Sequence, residues 1–151
     1  MILISACLIG INCKYNGGNN ALSFLDKLPK CIIPICPEQL GGLPTPRPQA
    51  EIVCGDGSDV LEGNAKVITK NGVDVTKNFI FGAEQTLKIA QFCGAKEAIL
   101  KSHSPSCGSG FIYDGSFKGK LKKGDGVAAA LLKKNGIKVI TEKELFLNYN
   151  F

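Results

Sequence analysis

The sequence predicts an α/β protein: a Rossmann-like parallel sheet with helices on both faces and a small β-hairpin excursion. Three observations carry that expectation. Apolar runs recur at 1–6, 31–35, 97–101 and 137–140 with helical patterns between them, the alternation that yields parallel strands joined by crossovers. The first runs are almost continuously apolar, as strands covered on both faces are. Each of the first three runs ends in a stretch rich in Gly, Asn, Pro, Ser or Cys with no periodicity, at the sheet edge where open α/β folds line a ligand crevice.

Taken in order, Met1 to Ala6 reads as the first strand, with Cys7 at its end and a Gly/Asn loop over 8–20. Asn20 can cap a helix from Ala21 to Leu28, on which Leu22, Leu25 and Leu28 recur at helical spacing before Pro29 closes it. Cys31 to Ile35 is the second run, and Cys36 falls at its end as Cys7 does at the first. The four prolines and two glycines of 37–48 argue for a rigid irregular loop, neither helix nor ladder. Residues 50–74 read as strand fragments with turns, a small β excursion on the main sheet, Asn71-Gly72 being a strong hairpin signal. Asp74 or Thr76 can cap a long helix to Cys93, which Gly94 stops. After the strand ending at Leu100 come the loop Ser102 to Gly110, a hairpin pairing 111–113 with 117–120, a helix from Gly126 to Asn135, and a last strand. Thr141 with Glu144 has capping-box spacing for a terminal helix.

The 151 residues suit a single domain, 1–151, and the balance of 44% hydrophobic to 21% charged is that of an ordinary soluble protein. No run is long enough to cross a bilayer, and the apolar start lacks a basic flank, so a cytoplasmic protein is expected. The net charge of +5 favours anionic partners in general, yet it falls well short of a dedicated nucleic-acid face. Lys118, Lys120, Lys122 and Lys123 cluster beside the site loop, as a phosphate-attracting patch or simply a solvated hairpin, and the turn at Gly124 to Gly126 could offer helix N-terminal amides to an anion. No Gly-x-Gly-x-x-Gly follows the first strand, which leaves dinucleotide binding without support.

Seven cysteines call for metal or catalysis, since reducing cytosol disfavours disulfides and no Cys-x-x-Cys pair is present. Cys7, Cys36 and Cys107 each follow a predicted parallel strand. If those strands are neighbours, three thiols meet at one edge and could hold zinc or an iron–sulfur cluster, leaving one position open for chemistry. Cys13 is open as ligand, substitute ligand or nearby thiol. Buried structural roles suit Cys31 and Cys93, and Cys54 has no evident role. His103 fits a structural hydrogen bond better than a metal bond. Arg47 could hold Glu38, a substrate phosphate, or a plain surface partner.

The runs Ser5-Ala6-Cys7-Leu8-Ile9-Gly10 with Cys13-Lys14-Tyr15-Asn16-Gly17, Cys36-Pro37-Glu38-Gln39-Leu40-Gly41-Gly42 with Pro46-Arg47-Pro48, Ser104-Pro105-Ser106-Cys107-Gly108 and Gly124-Asp125-Gly126-Val127 closely resemble the TudS-like thiouracil desulfidases, over essentially the whole chain. The resemblance implies a [4Fe–4S] cluster with one iron not bound by protein, held at positions matching Cys7, Cys36 and Cys107, with Cys13 as the substitute. It implies non-redox removal of sulfur from a thiolated uracil base or nucleotide, with Glu38 as acid–base carboxylate and Ser104 as the hydroxyl that handles a proton. Relatives acting on thiolated tRNA resemble this domain joined to another, so a small-molecule substrate is expected here, without membrane or nucleic acid, and a homodimer is left open. Two other function classes compete: a non-catalytic zinc- or cluster-binding module, and a thiol or persulfide enzyme using Cys107 or Cys13.

Overall fold

The computed structural model describes residues 1–149. Strands β1 (Ile2–Ser5), β2 (Ile32–Ile35), β5 (Glu97–Leu100) and β8 (Lys138–Thr141) form the expected parallel sheet in the order β2-β1-β5-β8. Ile2 lies opposite both Ile32 and Glu97, and Ile99 opposite Ile140. Alternate side chains point to opposite faces of a strand, which separates two cores. Leu3, Ala98, Leu100 and Val139 pack on Ala90 of α3 (Thr76–Cys93) and on Ala129 and Leu132 of α4 (Val127–Lys134). On the other face Ile4 and Ile99 pack with Leu8, Phe24 and Leu145 of α5 (Glu142–Tyr149). The sheet is therefore covered on both sides.

The β excursion stands apart from the main sheet. Strands β3 (Ala50–Val53) and β4 (Lys66–Thr69) pair only with each other, antiparallel, and β6 (Phe111–Tyr113) pairs with β7 (Leu121–Lys123). Both pairs are anchored by a third core in which Ile52, Val67 and Ile112 surround Phe79 of α3. Burying Phe79 to 2% exposure contributes about 1.5–3 kcal/mol.

Several local expectations are corrected. The helix over 21–28 reduces to a 3-10 turn at Leu25–Lys27, because the Asn20 and Leu22 amides donate to the Cys7 and Leu8 carbonyls, tying 20–22 to the turn after β1. The proline loop does contain one helical turn, α1 (Pro37–Leu40): proline is tolerated at the first helical position, where its missing N–H would have had no partner. The glycine turn after Cys54 opens α2 (Gly57–Leu61), held by reciprocal side-chain caps between Asp56 and Asp59. The hairpin's second strand begins at Leu121, so 114–120 form its tip. Cys31 is exposed, since β2 is an edge strand, which is also why Pro34 is tolerated within it. The long helix, its Gly94 stop and the Thr141–Glu144 capping box are found as expected, but Val75, not Asp74 or Thr76, stands at the N-cap of α3 without a side-chain cap, Asp74 accepting from the Thr76 amide and hydroxyl in a local turn.

Two contacts fix the site loops to this frame. A methyl group on Gly82 of α3 would overlap the Pro37 carbonyl, and one on Gly41 would overlap the Asn78 carbonyl. Only glycine lets α1 sit this closely on α3. No described helix is long and apolar enough to cross a membrane.

Candidate functional site

Because β2, β1 and β5 are adjacent and parallel, their carboxyl ends open on one side, into a cavity of about 400 Å³. That volume suits a small organic ligand. Cys7 enters it from the 3-10 turn after β1, Cys36 from the N-terminus of α1 after β2, and Cys107 from the loop after β5. Cys13 lines the same cavity, its thiol in hydrogen-bond contact with that of Cys36, which itself lies 3.9 Å from the Cys13 carbonyl. All four thiols singled out in the sequence are thus brought together, while exposed Cys31 and Cys54 and the half-buried Cys93 are not among the residues lining it.

Burial dominates the chemistry of these thiols. It pushes Cys107 up to about 12, against weaker opposing hydrogen bonds from Ser5 and Ser106. Cys13 is also pushed up to about 12, by burial and then by repulsion from Cys36 and Cys7. Cys7 is raised by burial, partly countered by the Asn20 amide. Each disfavours lone negative charge, the reverse of what a thiolate nucleophile requires. A cationic inorganic centre would deprotonate such thiols by coordinating them.

Beside the sulfurs runs a directional chain of hydroxyls. Ser104 Oγ accepts from the backbone amides of Ser106 at 3.1 Å and Cys107 at 3.0 Å. A hydroxyl has two acceptor positions and one proton. With both acceptor positions filled, Ser104 must donate, and it does so to Ser106 Oγ at 3.0 Å. Ser106 Oγ in turn donates to Glu38 Oε2 at 3.0 Å. Ser106, 1% exposed, is the residue that sequence reasoning missed. Its signal was available in Ser104-Pro105-Ser106-Cys107, where two serines flank the proline but only the first was assigned chemistry.

Arg47 fixes the far end of the chain. It is 9% exposed, which excludes the plain surface pair, and its Nε donates to Glu38 Oε1 at 3.1 Å. Its Nη2 donates to the Cys13 carbonyl at 2.8 Å and Nη1 to Thr45 Oγ1 at 3.1 Å, so one guanidinium ties the Cys13 loop to the Glu38 loop. The site loop itself is held by α4: the amides of Gly126, Val127 and Ala129 donate to the carbonyls of Gly108, Pro105 and Ser106. These are the amides that the Gly-Asp-Gly turn was expected to offer an anion. They are already engaged.

A polar cluster closes the β5 side. Glu142 Oε1 accepts from Lys101 Nζ at 2.9 Å and Ser102 Oγ at 2.7 Å, and Oε2 accepts from the Ser102 amide at 2.8 Å. Burial acts to raise the Glu142 pKa, but the bonds from Lys101 and Ser102 outweigh it and leave it lowered. His103 packs its ring edge-on against Tyr113, centroids 5.9 Å apart, and is not among the residues lining the cavity. Among the hairpin lysines, Lys122 bonds the Gly55 carbonyl and Lys118, Lys120 and Lys123 are exposed.

Known proteins resemble this chain over nearly its whole length. The chain is 53% identical over 147 residues to the uncharacterized protein YbbK of Bacillus subtilis (strain 168), covering 96% of this chain and 97% of that protein. It superposes with a TM-score of 0.83 on the solved structure of the [4Fe-4S]-dependent thiouracil desulfidase TudS, at 42% identity, covering 95% of this chain and 91% of that one. The family model for 2-thiouracil desulfurase matches residues 2–144, and with it the α/β frame and the rim on which the four thiols meet: the chain belongs to the 2-thiouracil desulfurase family.

Proposed function

We propose that this cavity hydrolyses the C=S bond of thiolated uracil bases or nucleotides, giving the oxo base and hydrogen sulfide without net oxidation or reduction. Cys7, Cys36 and Cys107 would hold a [4Fe–4S] cluster, one iron remaining without a protein ligand, with Cys13 the substitute in that set. The donor set fits such a group. The thiols are soft, Cys107 and Cys13 buried and Cys7 and Cys36 half-buried, and all line one cavity. When bound, the cluster supplies a soft Lewis acid for the thiocarbonyl sulfur.

The chain's own residues handle water and protons. As the oxygen of a water adds to the ring carbon, its proton goes to Ser104 while Ser104 passes its own to Ser106 and Ser106 its own to Glu38, the direction in which the resting hydrogen bonds point. Two amides hold the Ser104 oxygen in place throughout; the first transfer leaves the Ser104 proton on the substrate side, and it is delivered there as the carbon–sulfur bond breaks, Glu38 returning its proton along the same oxygens. A second proton follows the same route when the added hydroxyl becomes a carbonyl. In sum, one thiocarbonyl and one water become one carbonyl and one hydrogen sulfide. Arg47 holds the carboxylate in line.

The observation that carries this reading is that the Glu38–Ser106–Ser104 chain ends in the same cavity as the four thiols. The test is anaerobic reconstitution followed by a sulfide assay over a panel of thiolated bases and nucleotides. A brown protein with iron and labile sulfide that desulfurates at least one thiopyrimidine is expected, with Glu38→Ala and Ser104→Ala keeping the cluster and losing turnover. A cluster-loaded protein that releases no sulfide from any of them sinks the proposal. Sedimentation of the same preparation reads whether the protein works as a homodimer.

A further inference from the structure

The tip of the β6–β7 hairpin reaches the cavity through Phe117 and Gly119, and the Phe117 ring has no place in the apolar cores. Phe117 lines the cavity with its ring half-buried, yet it packs into none of the three apolar cores. Its φ is +58°, a conformation that a bulky side chain adopts only where its surroundings force it. The forcing group is Glu51 on β3, only 8% exposed, whose Oε1 accepts from the Gly115 amide at 2.9 Å and from the Phe117 amide at 3.1 Å.

The rest of the tip is built to keep that geometry. Asp114 Oδ1 accepts from both the amide and the hydroxyl of Ser116, at 2.9 and 2.6 Å. Gly115, at φ +94°, lies so close to β3 that a Cβ there would stand 2.8 Å from the Ile52 carbonyl. Three aromatic rings line the cavity, and two are occupied: Tyr113 meets His103 edge-on, and Tyr15 carries the Lys14 ammonium 5.6 Å from its centroid. Phe117 alone has no ring or cation partner among the described residues.

From this we infer that Phe117 is the stacking wall for the planar pyrimidine ring, and that Glu51 is the positioning residue that holds it over the thiols. The inference rests on the desulfidase reading and adds where the heterocycle lies. An aromatic face recognises any flat base by stacking and asks nothing of its substituents, leaving the thiocarbonyl edge to point at the sulfurs. It favours planar thiolated heterocycles over acyclic thioamides.

The test uses the anaerobically reconstituted protein and three variants, reading KM and kcat for 4-thiouracil and, separately, the affinity for the product uracil by calorimetry. Phe117→Gly removes the ring while accepting the positive φ, so the fold is kept. Stacking is worth about 1–3 kcal/mol per base, so KM should rise and uracil affinity fall by roughly 5- to 150-fold in this variant. Phe117→Tyr, which keeps the ring, should stay within about threefold of the unaltered protein on both readouts. Glu51→Ala should shift KM in the same direction as Phe117→Gly, and the double variant should be no worse than the worse single one, because both act through one ring. Unchanged KM and uracil affinity in Phe117→Gly would overturn the inference while leaving the desulfidase reading standing. A loaded, unaltered protein inert toward every thiopyrimidine removes the desulfidase reading and this inference with it.

Discussion

Replacing Ser106 with alanine removes a single oxygen from the middle of the Ser104–Ser106–Glu38 hydrogen-bond chain, which is proposed to carry protons. In the folded protein that oxygen stands 3.0 Å from Glu38 Oε2, 3.0 Å from Ser104 Oγ and 3.7 Å from Cys107 Sγ. At 1% exposure the Ser106 hydroxyl is shielded from bulk solvent in the folded protein. A hydrogen bond to a charged group contributes about 1.5–3 kcal/mol, and here the carboxylate loses its donor just as it must pass a proton on. The expected fall in kcat is therefore about 10- to 150-fold, with kcat/KM falling in parallel, since the contact matters to proton transfer and not to substrate binding. Glu38 keeps its bond from Arg47, and Cys107 loses only the long Ser106 contact while keeping the one from Ser5, so cluster absorption per chain should match the unaltered protein. The assay is anaerobic sulfide release at saturating 4-thiouracil. A Ser106→Ala protein with a full cluster and kcat within a factor of two would refute the relay and leave Ser104 and Glu38 acting separately.

Arg47→Ala leaves Glu38 half-buried without its cation and the Cys13 carbonyl without its 2.8 Å donor. Breaking a buried pair this way costs about 3–5 kcal/mol, which thermal unfolding should show as a clear drop in midpoint. Gly82→Ala drives a methyl into the Pro37 carbonyl and must displace α1. A loss of about 1–3 kcal/mol is expected in denaturant titration, together with weaker iron retention because Cys36 moves with α1; unaltered stability would show that α1 can shift freely. Glu142 has a lower pKa folded than unfolded, so its contribution to stability is present above about pH 4.5 and is lost as pH falls through the folded value. The melting temperature of the unaltered protein should exceed that of Glu142→Gln at pH 7, and the gap should narrow on acidification; a gap independent of pH would rule out the carboxylate as its source.

The parts of this molecule that were legible in the sequence are those governed by local periodicity. The four strands, the helix from Thr76 to Cys93 and the Thr141–Glu144 cap depend on residues within a few positions of one another, and each was found within two residues of its expected bounds. Placing three cysteines after successive parallel strands was likewise a topological inference, and strand adjacency then gathers the thiols without further information. Failures occurred where a side chain was claimed by something remote in sequence. Asn20 reads as a helix cap, but its amide and that of Leu22 are claimed by the carbonyls of Cys7 and Leu8, and the helix it would have started is absent. The amides of Gly126 and Val127 read as an anion site but hold the Cys107 loop. Arg47 reads equally well as a surface cation, and only its burial between two loops separates that from the pair with Glu38. Ser106 was passed over because a serine beside proline is an ordinary turn former, and nothing local reveals a carboxylate 68 residues away at hydrogen-bond distance. The same reasoning explains why the site is harder to read than the fold: strand pattern repeats along the chain, whereas a proton path is a set of single contacts between loops, each set by which carboxyl ends the sheet order makes neighbours.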